Sequence, residues 1–112
     1  MHTEITHRTT DDAVVIYVDG DLTTNTSPDV QDEILEVLQG EAKHVVINVE
    51  KVNFIASTGL RVILALGKRL SGQGLKLTVC SMNTSTKAVF DMSGFSKLFP
   101  TYDSEAEALK SL

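Results

Sequence analysis

Three short runs, two rich in β-branched residues and a third that alternates, constrain this chain more than anything else in it. They are Ala13-Val14-Val15-Ile16-Tyr17-Val18-Asp19, His44-Val45-Val46-Ile47-Asn48-Val49 and Leu75-Lys76-Leu77-Thr78-Val79-Cys80. Runs of this kind are strands, and the second, apolar without alternation, is typical of a strand buried on both faces. The stretches between them, 20–43 and 50–74, are too long for tight turns and carry helical apolar spacing. Strand, helix, strand in that order implies parallel pairing through right-handed crossovers, with helices packed on the sheet. The expected class is α/β: a mixed, mostly parallel central sheet of roughly four to five strands with about four helices. At 112 residues the chain is near the commonest size for one domain, so residues 1–112 are expected to form a single one.

The connecting segments supply the boundaries. Thr3 to Arg8 alternates weakly and is a candidate edge strand beside 13–19, with Thr10-Asp11-Asp12 as the turn between them. Gly20-Asp21-Leu22-Thr23-Thr24-Asn25-Thr26 is a polar loop. Ser27-Pro28 then predicts a helix start, with Ser as cap and Pro at the first helical position. Val30, Ile34, Val37 and Leu38 form its apolar face, and Gly40 closes it. Glu50 to Ala56 is expected as a loop and Ser57 as the start of a long helix. Leu60, Ile63, Leu64 and Leu70 share a face of that helix, and Gly67 lets another backbone come close. Ser71-Gly72-Gln73-Gly74 breaks it. Thr84 to Met92 is a short helix stopped by Ser93-Gly94, and Phe95, Leu98 and Phe99 are apolar anchors before Pro100. Thr101-Tyr102 is a possible short strand, and Ser104-Glu105-Ala106-Glu107 matches a capping box opening a last helix.

Charge and composition exclude several function classes. Ten basic against fifteen acidic residues give a net charge of −5, the wrong sign for nucleic acid or an anionic membrane surface. The start, Met1-His2-Thr3-Glu4, lacks a signal-type apolar core, and no apolar run approaches the length of about 18 that spans a bilayer. With Cys80 as the only cysteine, no disulfide forms within one chain. A cytoplasmic protein is expected, and nothing demands more than a monomer. His2, His7, His44 and Cys80 fall at no metal-ligand spacing and are expected to be surface histidines and a strand cysteine. A nucleophilic Ser57 would need a base. His44 is the candidate, but it precedes its strand and belongs at the far end of the sheet, and Gly-x-Ser-x-Gly is absent. Gly72-Gln73-Gly74 ends a helix and opens a strand, so it is a turn and no phosphate loop. These observations argue against an enzyme and against a bound cofactor.

The informative tract is Asn53-Phe54-Ile55-Ala56-Ser57-Thr58-Gly59-Leu60-Arg61-Val62-Ile63-Leu64, where a loop delivers Ser57 and Thr58 to a helix N-terminus. Ser57 read alone is an N-cap. The same place suits an anion, because free backbone N–H groups and the positive pole of the helix dipole meet there. A phosphate on Ser57 is therefore compatible with the fold, and Arg61 stands one turn on to screen it.

Residues 54–64 resemble the signature of STAS domains, specifically the bacterial anti-sigma factor antagonists. Gly20-Asp21-Leu22-Thr23 resembles that family's G-E-L-D loop, and Phe95-Ser96-Lys97-Leu98-Phe99-Pro100 with an acidic last helix is similar to its ending. The resemblance covers essentially the whole chain. It implies a STAS-type fold and a partner switch. The unphosphorylated antagonist binds an anti-sigma factor that is also a GHKL-type serine kinase, the kinase phosphorylates a serine to end the complex, and a PPM-type phosphatase resets it. Carried over, the serine is Ser57, with Thr58 as the alternative hydroxyl. The partner surface is Asp21, Thr23, Thr24, Phe54, Ala56, Ser57, Thr58, Gly59 and Arg61. ATP and magnesium belong to the kinase.

Two positions depart from the family pattern: Ala56 and Thr23 each stand where it has Asp. Their absence removes two negative charges from beside the hydroxyl. Either this eases accommodation of a phosphate, or it removes groups that engage the kinase. The competing expectations are a constitutive scaffold of the same fold, a small-ligand or nucleotide binder at the helix N-terminus, and a hydrolase.

Overall fold

The computed structural model describes residues 3–112; His2 lies outside them. Its sheet runs in the order β1 (Glu4–Thr9), β2 (Ala13–Asp19), β3 (His44–Lys51), β4 (Leu77–Cys80), β5 (Thr101–Tyr102). β1 pairs antiparallel with β2, and every later pairing is parallel. The helices are α1 (Ser27–Leu38), α2 (Ser57–Ser71), α3 (Thr84–Met92), α4 (Phe95–Leu98) and α5 (Glu105–Lys110). The expected mixed, mostly parallel sheet is present. One helix beyond the expected count appears because the anchors at Phe95 and Leu98 wind into a four-residue turn.

The strands sort their side chains by parity, as a pleated sheet must. Val14, Ile16, Val18, Val45, Ile47, Val49, Leu77 and Val79 point into the main core with Val30, Ile34, Val62, Ile63, Leu66 and Phe90 from the helices. Val15, Val46 and Cys80 point the other way and meet Ala108 of α5. The two faces are therefore covered unequally, by long helices on one side and a six-residue helix on the other.

Several boundaries differ from the sequence expectation. α1 begins with Ser27 itself, and Pro28 is its second residue. Thr26 holds the capping position without a side-chain bond to the helix, and is itself tied back by a reciprocal pair: Thr23 Oγ1 accepts from the Thr26 N–H at 3.1 Å, and Thr26 Oγ1 accepts from the Thr23 N–H at 2.9 Å. Ser27 is buried, its hydroxyl donating to the Thr23 carbonyl at 2.5 Å. In α2 the buried stripe is Gly59, Val62, Ile63, Leu66, Gly67 and Leu70, so Leu60 and Leu64 sit at its margins. Gly67 admits the Phe99 ring rather than a backbone: a Cβ there would lie 2.2 Å from Phe99 Cε1. β4 starts at Leu77 because the Leu75 N–H turns back to the Leu70 carbonyl at 2.8 Å. Gly40, at φ 79°, closes α1 in the left-handed conformation that glycine adopts without strain. Ser104 Oγ caps α5 by accepting from the Glu107 N–H at 3.2 Å.

Candidate functional site

The chain leaves β3 and runs through an extended loop to α2. This loop lies beside residues 20–26, where the chain has left β2. Leu22 and Ile55 form a parallel bridge, the Leu22 N–H donating to the Phe54 carbonyl at 3.0 Å and the Ala56 N–H to the Leu22 carbonyl at 2.7 Å. Asp21 locks the same junction: its Oδ1 accepts from the Asn53 N–H at 3.0 Å and the Phe54 N–H at 3.1 Å. Thr3 Oγ1 and Thr26 Oγ1 both donate to the Asp21 carbonyl, at 2.6 and 2.8 Å. From the other side Asn83, the cap of α3, donates through Nδ2 to the Val52 carbonyl and to Asn53 Oδ1, both at 3.2 Å. Two loops far apart in sequence are thus one hydrogen-bonded unit.

The bond to Leu22 sets where α2 begins. It holds Ala56 extended, at φ −80° and ψ 168°, in the capping position, where the alanine has no side-chain acceptor. Ser57 is therefore the first helical residue and not the cap expected of it. The Leu60 N–H bonds the Ala56 carbonyl at 3.1 Å, so the N–H groups of residues 57–59 precede the first helical bond. No acidic residue stands in this first turn, so nothing on the helix itself offsets the positive pole of its dipole.

The candidate residues fall into three groups. Ser57, Phe54 (54% exposed), Thr24 and Arg61 face solvent, with Arg61 one turn beyond Ser57. Asp21 and Thr23 are half-buried and their side chains hold the loop, Asp21 through Oδ1 and Thr23 through Thr26. Gly59 is buried and faces inward: a Cβ there would lie 2.7 Å from Leu22 Cβ and 3.1 Å from Ile55 Cγ2. It lets the helix sit against the bridge and offers no surface to a partner. Ala56 is half-buried. Thr58 is half-buried too, and its Oγ1 is shut in without a hydrogen-bond partner.

His44 lies at the start of β3, eight residues of strand and roughly 25 Å from the end that leads to Ser57. Its Nδ1 accepts from the Lys76 N–H at 3.0 Å, so the two residues are not brought together. Cys80 is buried, and burial raises its thiol pKa. No cluster of metal-ligating side chains occurs among the described residues. No helix among them is long and apolar enough to cross a membrane. Sequence reasoning passed over Leu22, Ile55, Thr26 and Asn83, which build the site from beneath. Two left a signal, Thr23-x-x-Thr26 and Asn83-x-x-Thr86, each with the spacing of a helix cap. The bridge left none.

The sequence pattern of the STAS domain matches residues 4–108. An anti-sigma F factor antagonist from Paenibacillus polymyxa is 33% identical over 100 residues, covering 88% of this chain and 86% of that protein. Among solved structures, an anti-sigma factor antagonist from Mycobacterium paratuberculosis superposes with a TM-score of 0.87 at 24% identity, over 97% of this chain and 92% of that one. The Bacillus cell fate determinant SpoIIAA in its phosphorylated form gives 0.72 at 20% identity, over 96% and 98%. The chain belongs to the STAS domain family, within its group of anti-sigma factor antagonists.

Proposed function

We propose that this protein is a phosphorylation-regulated binding switch acting in the cytoplasm. Unphosphorylated, it holds an anti-sigma factor that is also a GHKL-type serine kinase and so frees a sigma factor for transcription. A phosphate on Ser57 ends that complex, and a PPM-type serine phosphatase restores it. The observation that carries this reading is the placement of Ser57: exposed, at the first residue of α2, and not used to cap the helix. Modification there leaves the fold's own hydrogen bonds intact. A phosphoserine adds a charge of about −1.5 to −2, which the helix pole and Arg61 favour. Phe54, exposed beside it, offers a partner apolar area. A phosphate forced into that contact is desolvated next to an aromatic ring, and a penalty of about 2.8 kcal/mol weakens binding about a hundredfold. The SpoIIAA fold exists in a phosphorylated form, which supports a fold that tolerates the modification.

The test is tandem mass spectrometry of the protein isolated from its native cells, with and without phosphatase treatment. A phosphatase-sensitive phosphate on Ser57 is the expected result. Ser57→Asp should fold and lose partner affinity about a hundredfold, and Ser57→Ala should bind constitutively. Phosphate on Thr58 would move the site to a hydroxyl that a kinase reaches only by opening the first turn. No phosphate under any growth condition would favour a constitutive scaffold, with Ala56 and Thr23 as the reason.

A further inference from the structure

We propose that the outer edge of β1, with the groove between it and α1, is a second docking surface, and that it takes an extended protein segment carrying basic residues. β1 is the last strand on its side of the sheet, six residues paired with β2 in unbroken register. The Thr10 N–H bonds the Ala13 carbonyl at 2.8 Å, and alternation from that pair turns the N–H and C=O groups of Ile5, His7 and Thr9 away from β2. Among the described residues these groups have no backbone partner, and an unpaired row of this kind is a template for a further strand. It carries neither proline nor lysine, and its register holds no bulge.

A groove of about 550 Å³ lies along this edge, lined by Ile5 and His7 of β1 and Glu33, Glu36 and Val37 of α1. Ile5 and Val37 are partly buried and give it an apolar floor. Glu33 and Glu36 give it a negative wall. The ion pairs among the described residues are Arg8 with Glu105 and Lys51 with Asp19, so neither groove carboxylate is spent on one. A strand laid on β1 presents alternate side chains to α1. Lysine or arginine at those positions meets the two glutamates, while main-chain bonds to β1 supply sequence-independent affinity. The same charges select against a second copy of this chain. Pairing two β1 strands across a twofold axis brings two α1 helices, and their Glu33 and Glu36, to one seam. The groove shares no residue with the surface around Ser57, so both can be occupied at once.

The probe is a fluorescent alternating lysine–valine hexapeptide titrated into the full chain, read by anisotropy and by amide chemical shifts. Expected are saturable binding, shifts centred on Ile5, His7 and Thr9, and no binding of the glutamate–valine counterpart. The double substitution Glu33→Lys with Glu36→Lys should weaken binding at least tenfold, its folding checked by thermal melting. Ser57→Asp should bind the peptide as the parent does, which separates this surface from the proposed switch. Absence of binding, affinity indifferent to the double substitution, or shifts centred on α2 would overturn the proposal. So would a dimer in sedimentation with the same β1 shifts and no peptide present, which would assign the edge to a second copy.

Discussion

Two adjacent hydroxyls, Ser57 and Thr58, carry opposite physical situations. Ser57 is open to solvent and outside the capping position, so under the proposed switch a change there would be felt by the docked partner and not by the fold. Thr58 Oγ1 is enclosed without a partner, a condition that costs about 1–3 kcal/mol per buried polar group. Thr58→Val keeps the shape and removes that cost. Its melting temperature is expected to match or exceed the parent's, and a clear loss would show that the hydroxyl is bonded in solution. Ser57→Asp places a carboxylate at the positive pole of α2 and is expected to melt no lower than the parent, gaining about 0.3–1 kcal/mol at low salt. The tract 53–64 announces a helix N-terminus in the sequence, but its register is displaced by one residue. Serine is the stronger cap former, so local propensity selects it. The bond from Ala56 to Leu22, a contact between distant segments, decides otherwise.

Among elements, the junction of the two loops and α2 is the tightest packing near the site. Gly59→Ala drives a methyl into Leu22 and Ile55, both buried, and is expected to cost about 1–3 kcal/mol in denaturant unfolding. A stability unchanged by that substitution would mean that the loop yields without penalty. The α5 helix is held more lightly. Glu105 accepts from Asn48 Nδ2 at 3.2 Å and pairs with Arg8 across the sheet's second face. Burial pushes the Glu105 carboxyl up, but the hydrogen bonds from Arg8 and Asn48, the nearby Tyr17 hydroxyl and the Arg8 charge outweigh it and hold the carboxyl below its ordinary value. A lowered folded-state pKa means that the contribution is whole above the ordinary carboxylate value, about 4.3, and is lost as pH falls through the folded one. The protection of α5 amides, taken as the exchange rate relative to that of an unstructured peptide at the same pH, is therefore expected to fall in that acid range. Glu105→Gln should remove the pH dependence and, with both partners partly exposed, cost at most about 1 kcal/mol at neutral pH. None of this is visible along the chain, because Arg8 and Glu105 become neighbours only when β1 and α5 meet over one face.

For the whole molecule, the mostly parallel sheet is legible because β-branched runs and crossover lengths are local properties. Which face each helix covers is not. The parity of a strand residue tells that it points up or down, but not which side receives the longer helices. The outcome here is a thick core beneath α1 and α2 and a thin one beneath α5, where Cys80 lies under Ala108. Cys80 reports on that thin side. In the intact chain it is expected to resist a thiol reagent at neutral pH, since burial both screens it and raises its thiol pKa. Removal of residues 104–112 should make it reactive while the sheet remains folded by circular dichroism. Equal reactivity in both forms would show that α5 does not cover it.

The bridge between Leu22 and Ile55 has a kinetic consequence. If the proposed partner docks here, loops already bonded to each other leave little ordering to do when it arrives, and association is expected to be set by encounter and orientation, commonly about 10⁵–10⁷ M⁻¹s⁻¹. Uncharged substitutions on such a preformed face then act mainly on the lifetime of the complex, whereas added charge also changes the speed of its formation. Loosening the bridge, by Asp21→Ala for instance, should slow association as well, because each encounter must then wait for the loops to find their places.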